Sequence, residues 1–129
     1  MVKWKMQTDS VEDLRLVIEY IELPYLLTVL ELNVKKMKRS DFKLGPLFEL
    51  HLRTMQDRVS KEQYRVRQEM RRRGIKVLEQ NQLEDCITGK YLCRGYVHDV
   101  RLLWSKVKSD TEVRLAAYLG VDIAKIERS

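Results

Sequence analysis

Two runs, Ile75-Lys76-Val77-Leu78-Glu79 and Ile87-Thr88-Gly89-Lys90-Tyr91-Leu92-Cys93, flank the polar stretch Asn81-Gln82-Leu83-Glu84-Asp85. Their reading decides the fold. Both runs are short and rich in β-branched or aromatic residues, which predicts a β-hairpin over residues 75–94. The rival is one more helix, but Gly89 and Gly95 would each weaken it by about 1 kcal/mol relative to alanine.

Upstream of this segment the pattern is helical. Gly45-Pro46 reads as a helix start, because proline at the first helical position gives up no needed hydrogen bond. Helix two is predicted over Pro46–Arg73, with Phe48, Leu52, Met55, Val59, Val66 and Met70 within about 60° on a helical wheel. Gly74 is placed to end it in a left-handed conformation. Helix one is predicted from the capping residues Asp9-Ser10, with Glu12 and Asp13 in its first turn. Its apolar positions Val11, Leu14, Ile18, Ile21, Tyr25, Thr28 and Leu32 keep phase through Pro24, so a bend or short break is expected near Leu23. Lys35, Lys36, Lys38 and Arg39 suit its end, and Ser40–Gly45 reads as a connection.

Downstream, Val97, Val100, Trp104, Val107, Thr111, Leu115 and Tyr118 step by three or four from Tyr96 toward Gly120, which predicts helix three. The expected fold class is therefore mainly α. It is a single domain, 1–129: a bundle of three long amphipathic helices, the first kinked at Pro24, with a small β-hairpin between the second and third. Residues 1–8 read as an N-terminal arm and 121–129 as a C-terminal extension. Trp4, between Lys3 and Lys5 and outside the periodic segments, reads as an anchor to a partner chain or a cover for the bundle edge. Long apolar stripes in so short a chain favour a homo-oligomer, most simply a two-fold dimer.

Composition narrows the class. The chain has 129 residues, 44% hydrophobic and 34% charged, with two prolines and five glycines, which suits one ordered domain. The first residues lack the apolar stretch of a signal peptide, and the run Ile21–Leu32 is broken by Glu22, Pro24 and Glu31. With two cysteines, Cys86 and Cys93, read as reduced thiols, a cytoplasmic protein without a membrane span is expected.

The charge is concentrated in one place. Residues 53–76 hold nine basic and three acidic side chains, which equals the whole excess of +6, while residues 1–52 and 77–129 each balance eight against eight. Seven of the nine are arginines, whose planar guanidinium binds carboxylate or phosphate through paired hydrogen bonds. On the wheel Arg58, Lys61, Arg65 and Arg72 form one band, and Arg53, Arg67 and Arg71 another. Asp57, Glu62 and Glu69 neutralise neighbours three or four residues away. A solvated face with ordinary ion pairs is the plain reading. The functional one is a binding surface for an acidic partner or nucleic acid, carried by Arg58, Lys61, Arg65, Arg67, Arg71, Arg72 and Lys76.

The basic helix followed by a hairpin bearing Lys76, Lys90 and Arg94 resembles the recognition helix and wing of winged-helix DNA-binding proteins, over about residues 55–94. That resemblance implies a helix in the major groove and a hairpin on phosphates. The chain departs from the pattern in the length of the helix and in lacking a short preceding helix with a sharp turn. Nucleic acid therefore ranks behind an acidic protein partner.

Catalytic patterns are thin. Gly89-Lys90 lacks the earlier glycine and the following Ser or Thr of a phosphate-binding loop, having Glu84 and Tyr91 instead. Cys86, Cys93, His98 and His51 contain no paired metal-ligand spacing. Cys93 with His98 and Asp99 fails as a nucleophilic set, because adjacent helical residues point about 100° apart. The carboxylate pairs Glu12-Asp13 and Glu84-Asp85 read as a helix start and a turn. The expectation is a non-enzymatic interaction or regulatory protein with no catalytic residues, metal, cofactor or small-molecule substrate.

Overall fold

The computed structural model describes residues 2–126, with side chains from residue 10 onward. Three helices and three strands follow one another as α1 (Val2–Arg39), α2 (Gly45–Arg72), β1 (Ile75–Gln82), β2 (Cys86–Cys93), β3 (Tyr96–Leu103) and α3 (Trp104–Leu119), then a short 3-10 turn, Ile123–Lys125. This overturns the expected three-helix bundle with a hairpin appendage. The molecule is a helical hairpin joined to a three-stranded antiparallel meander, ordered β1-β2-β3 and followed by a third, shorter helix.

The main correction is β3, which occupies the first eight residues of the expected third helix. Val97, Val100 and Trp104 happen to satisfy a helical period, yet over the second half of the strand Val100 and Leu102 are buried while Asp99, Arg101 and Leu103 are exposed, the alternation of a half-buried strand, and Tyr96–Asp99 are all exposed. The turn before it favours the strand. Arg94 and Gly95 both take positive φ, 47° and 91°, the geometry of a two-residue loop whose twist matches its flanking strands. The Trp104 N–H then donates to the Asp85 carbonyl at 3.1 Å and its indole N–H to Leu83 at 2.8 Å. These bonds pin the start of α3 to the β1–β2 loop.

Helix one also differs from expectation. It begins at Val2, so the expected arm is helical and Asp9-Ser10 does not start the helix. A favourable cap is worth only about 1 kcal/mol, and no proline or glycine precedes Pro24 to stop the helix. The Trp4 side chain lies outside the described residues. The helix passes through exposed Pro24 as one element. Its buried positions are Leu16, Val17, Ile21, Leu23, Leu26, Leu30 and Val34, whereas Val11, Leu14 and Leu32 of the expected stripe are exposed. The sequence is apolar on two faces, and packing selects the one that meets α2 and the sheet.

Helix two follows its pattern closely. Met55, Val59, Val66 and Met70 are buried and Leu52 half-buried, with only Phe48 exposed. Gly74 turns the chain at φ +70°. The core gathers these residues with Ile75, Ile87, Tyr91, Val100 and Leu102 of the inner sheet face and Val107 of α3. The outer face of the sheet meets solvent. Gly120 closes α3 in a left-handed conformation, its N–H on the Ala117 carbonyl at 3.2 Å. Among the described residues no helix is long and apolar enough to cross a membrane.

Candidate functional site

The seven basic residues named from the sequence do not form one surface. Four lie in the first wheel band and most of these are tied up. The Arg58 guanidinium lies over the Tyr118 ring at 4.8 Å and donates to the Tyr118 carbonyl at 3.4 Å. Arg65 donates to Glu62 at 3.1 and 3.2 Å and sits 3.6 Å from Glu19. Arg72 donates to Glu69 through Nε at 2.9 Å. Hydrogen bonds from Arg72 and Arg73 pull the Glu69 carboxyl down to about 2, and the bond from Arg65 holds Glu62 below its ordinary value.

Arg67, Arg71 and Lys76 are different. All three are exposed, and no ion pair to them occurs among the described residues. They line one groove of about 500 Å³, together with Tyr20, Met70 and Val77. The local sequence explains the convergence. Arg67 and Arg71 are four apart and share a helix face, a like-charge spacing that costs a few tenths of a kcal/mol. Gly74 then reverses the chain and brings Lys76, at the start of β1, beside them. Lys61 is also exposed and without an ion pair among the described residues, but lies away from this groove.

Beside the groove is a buried charge cluster that the sequence reading missed. Asp13, only 2% exposed, accepts from Arg94 Nη2 at 2.6 Å, from Arg73 Nη1 at 3.4 Å and from the Cys93 thiol at 3.2 Å. Burial pushes its carboxyl up, but the bonds from Arg94 and Cys93 and the Arg94 charge outweigh this and hold it below the usual value. Arg94 also donates to the Arg73 carbonyl at 3.0 Å, and its N–H bonds the Gly74 carbonyl at 3.1 Å. The β2–β3 turn is thereby clamped to the end of α2, which supports the groove from behind.

This cluster is structural chemistry. Burial, reinforced by Asp13, pushes the Cys93 thiol up, away from the thiolate that a nucleophile requires. His98 stacks on Tyr91 at 5.2 Å, and Asp99 is 3.8 Å from Lys90. Cys86 and Cys93 are free, buried thiols. Among the described residues no group of three or more His, Cys, Asp or Glu side chains is placed to hold a metal ion.

A second buried acid, Glu22, sits between α1 and α3 at 1% exposure, with Oε1 accepting from Arg114 at 3.1 Å and Oε2 without a hydrogen-bond partner. Burial and neighbouring Asp110 push it up to about 8 against the pull of Arg114 and Lys106. No sequence signal marked it, because its partners are on a helix 92 positions away.

Neither a curated protein sequence nor a solved structure matches the chain. A family model described as YhjD protein matches residues 8–123, from the first helix through the meander and α3 to the closing 3-10 turn. That span is most of the 129 residues, and the chain belongs to the YhjD protein family.

Proposed function

We propose that this is a non-enzymatic interaction protein that receives acidic side chains of a partner protein in the groove of Arg67, Arg71 and Lys76. The observation that carries the reading is the convergence of three cations, without ion pairs among the described residues, on one groove. Most of the other cations of the segment are already engaged. Two guanidinium forks and an ammonium over the apolar walls of Tyr20, Met70 and Val77 suit glutamate and aspartate set among apolar residues. The protein is read as a cytoplasmic homodimer, in keeping with two reduced thiols and with exposed apolar side chains such as Val11, Leu14 and Phe42.

Nucleic acid is served less well. Of the hairpin cations that would reach phosphates, Arg94 is held by Asp13 and Lys90 lies near Asp99, which leaves Lys76.

The test is fluorescence anisotropy with a labelled oligoglutamate peptide and a labelled DNA duplex, followed across salt concentration. The peptide is expected to bind, and R67Q/R71Q/K76Q to lose that binding while R58Q/R65Q/R72Q keeps it. Unchanged peptide binding by R67Q/R71Q/K76Q overturns the groove. Tighter binding of the duplex, with a steep salt dependence, replaces the protein partner by nucleic acid.

A further inference from the structure

The sheet has two edges, and they differ. Strand β1 carries a register shift between Val77 and Glu79, the kind of bulge that discourages further pairing. Strand β3 pairs with β2 in unbroken register from Cys86↔Leu103 to Cys93↔Tyr96. It has no bulge or proline, and no strand on its outer side among the described residues. Its exposed residues include Tyr96, Val97 and Leu103, at 72, 58 and 46%.

Hydrogen-bond parity settles which groups that edge offers. Trp104 N–H bonds back to Asp85, and backbone groups alternate in direction along an antiparallel strand. Leu102, Val100, His98 and Tyr96 therefore turn their N–H and C=O toward β2. Val97, Asp99, Arg101 and Leu103 present theirs outward. These same four residues hold the solvent face of the sheet.

The geometry points to a second copy of this chain as the occupant of the β3 edge, paired antiparallel about a two-fold axis through Val100 to make a continuous six-stranded sheet. In that register Asp99 faces Arg101 of the other copy twice over, and Val97 faces Leu103 twice over. Outward backbone groups also meet outward groups, as an antiparallel ladder requires. Moving the axis one residue in either direction sets Asp99 against Asp99 or Arg101 against Arg101. Charge and apolar complementarity thus select a single register. Asp99 and Arg101 are 82 and 62% exposed, and their intrachain pairs with Lys90 at 3.8 Å and Asp85 at 3.6 Å are long enough to yield or to extend into the row. The axis is normal to the sheet, so both sets of helices lie on one side. The β1 edges, with Lys76 at the start of each, become the two outer margins about 24 Å apart.

From the proposed function this takes only the homodimer, and not the basic groove. The test is the solution mass of the full chain by light scattering and sedimentation. The wild type is expected at about twice 15.4 kDa. D99R sets like charges opposite one another at two places and is expected to weaken association by at least about 10-fold, while D99R/R101D restores it. Asp99→Pro removes only an outward N–H and is expected to give a folded monomer. A monomeric wild type overturns both the dimer and the edge. A dimer that survives D99R and Asp99→Pro, or one that D99R/R101D fails to restore, overturns the β3 edge; in the first case dimerisation stands on another surface.

Discussion

Arg94, in the two-residue turn between β2 and β3, places its Nη2 2.6 Å from Oδ2 of Asp13, a residue 81 positions earlier in the first third of α1. This bond joins the meander to the helical hairpin at a point where both segments would otherwise present polar groups to an apolar interior. Replacing Asp13 by alanine takes a carboxylate from Arg73, which keeps Glu69, and from Arg94, which keeps the Arg73 carbonyl, and removes the acceptor of the Cys93 thiol. Fully buried pairs broken on one side cost about 3–5 kcal/mol. Arg94 is 48% exposed and rehydrates in part, so a loss of about 2 kcal/mol is expected in urea denaturation. Because the folded Asp13 carboxyl is held low, its contribution is present above the unfolded value of about 3.9 and disappears as pH falls through the folded one. Wild type and Asp13→Ala should therefore converge in stability under acid.

Glu22 has the opposite sign. Its carboxyl is pushed up to about 8, so between the unfolded value of about 4.3 and that point the folded chain holds a proton that the unfolded chain has released. Stability falls with rising pH across this window and levels off above it. Glu22→Gln keeps the shape and neutrality, and is expected to flatten the decline and add roughly 2 kcal/mol at pH 8, with little change at pH 4. A parallel pH profile for the two proteins would refute a protonated Glu22.

Gly89 marks a close approach. A Cβ there would stand 3.0 Å from the Glu79 carbonyl, next to the β1 bulge, and 3.3 Å from Val100 Cγ1. Gly89→Ala is expected to destabilise by about 1–2 kcal/mol through overpacking, read as a lower urea midpoint. An unchanged midpoint would mean that β1 can retreat without cost.

Arg67 offers a separation of stability from binding. Arg67→Glu turns a like-charge pair with Arg71 into a favourable one at the same spacing, worth about 0.5 kcal/mol in stability. The same change is expected to abolish capture of the oligoglutamate peptide. Loss of both stability and binding would mark Arg67 as a structural residue.

Some of this was legible in the sequence, for identifiable reasons. Helix α2 has one narrow apolar stripe between Pro46 and Gly74, and local punctuation and packing agree on it. The Arg67–Arg71 band was visible on the wheel, but its completion by Lys76 needed the chain reversal at Gly74. Strand β3 was hidden because Val97, Val100, Trp104 and Val107 fit a helical period as well. The decisive signs were the pair Arg94-Gly95 and the alternation of Val100 and Leu102 with charged or exposed neighbours. Asp13 and Glu22 were illegible as buried acids, since the cations that make their burial tolerable lie 60 to 92 residues away.

Most elements pack chiefly on a neighbour in chain order, α1 on α2, β1 on β2 and β2 on β3, while α3 reaches back to α1. Such a topology keeps loop-closure entropy small and favours rapid assembly. During synthesis the helical hairpin leaves the ribosome first, and the meander can zip locally behind it. The Asp13–Arg94 bond spans both halves and needs each of them in place to form. Its removal is therefore expected to speed unfolding while leaving the refolding rate nearly untouched, so that the carboxylate acts as a latch on lifetime.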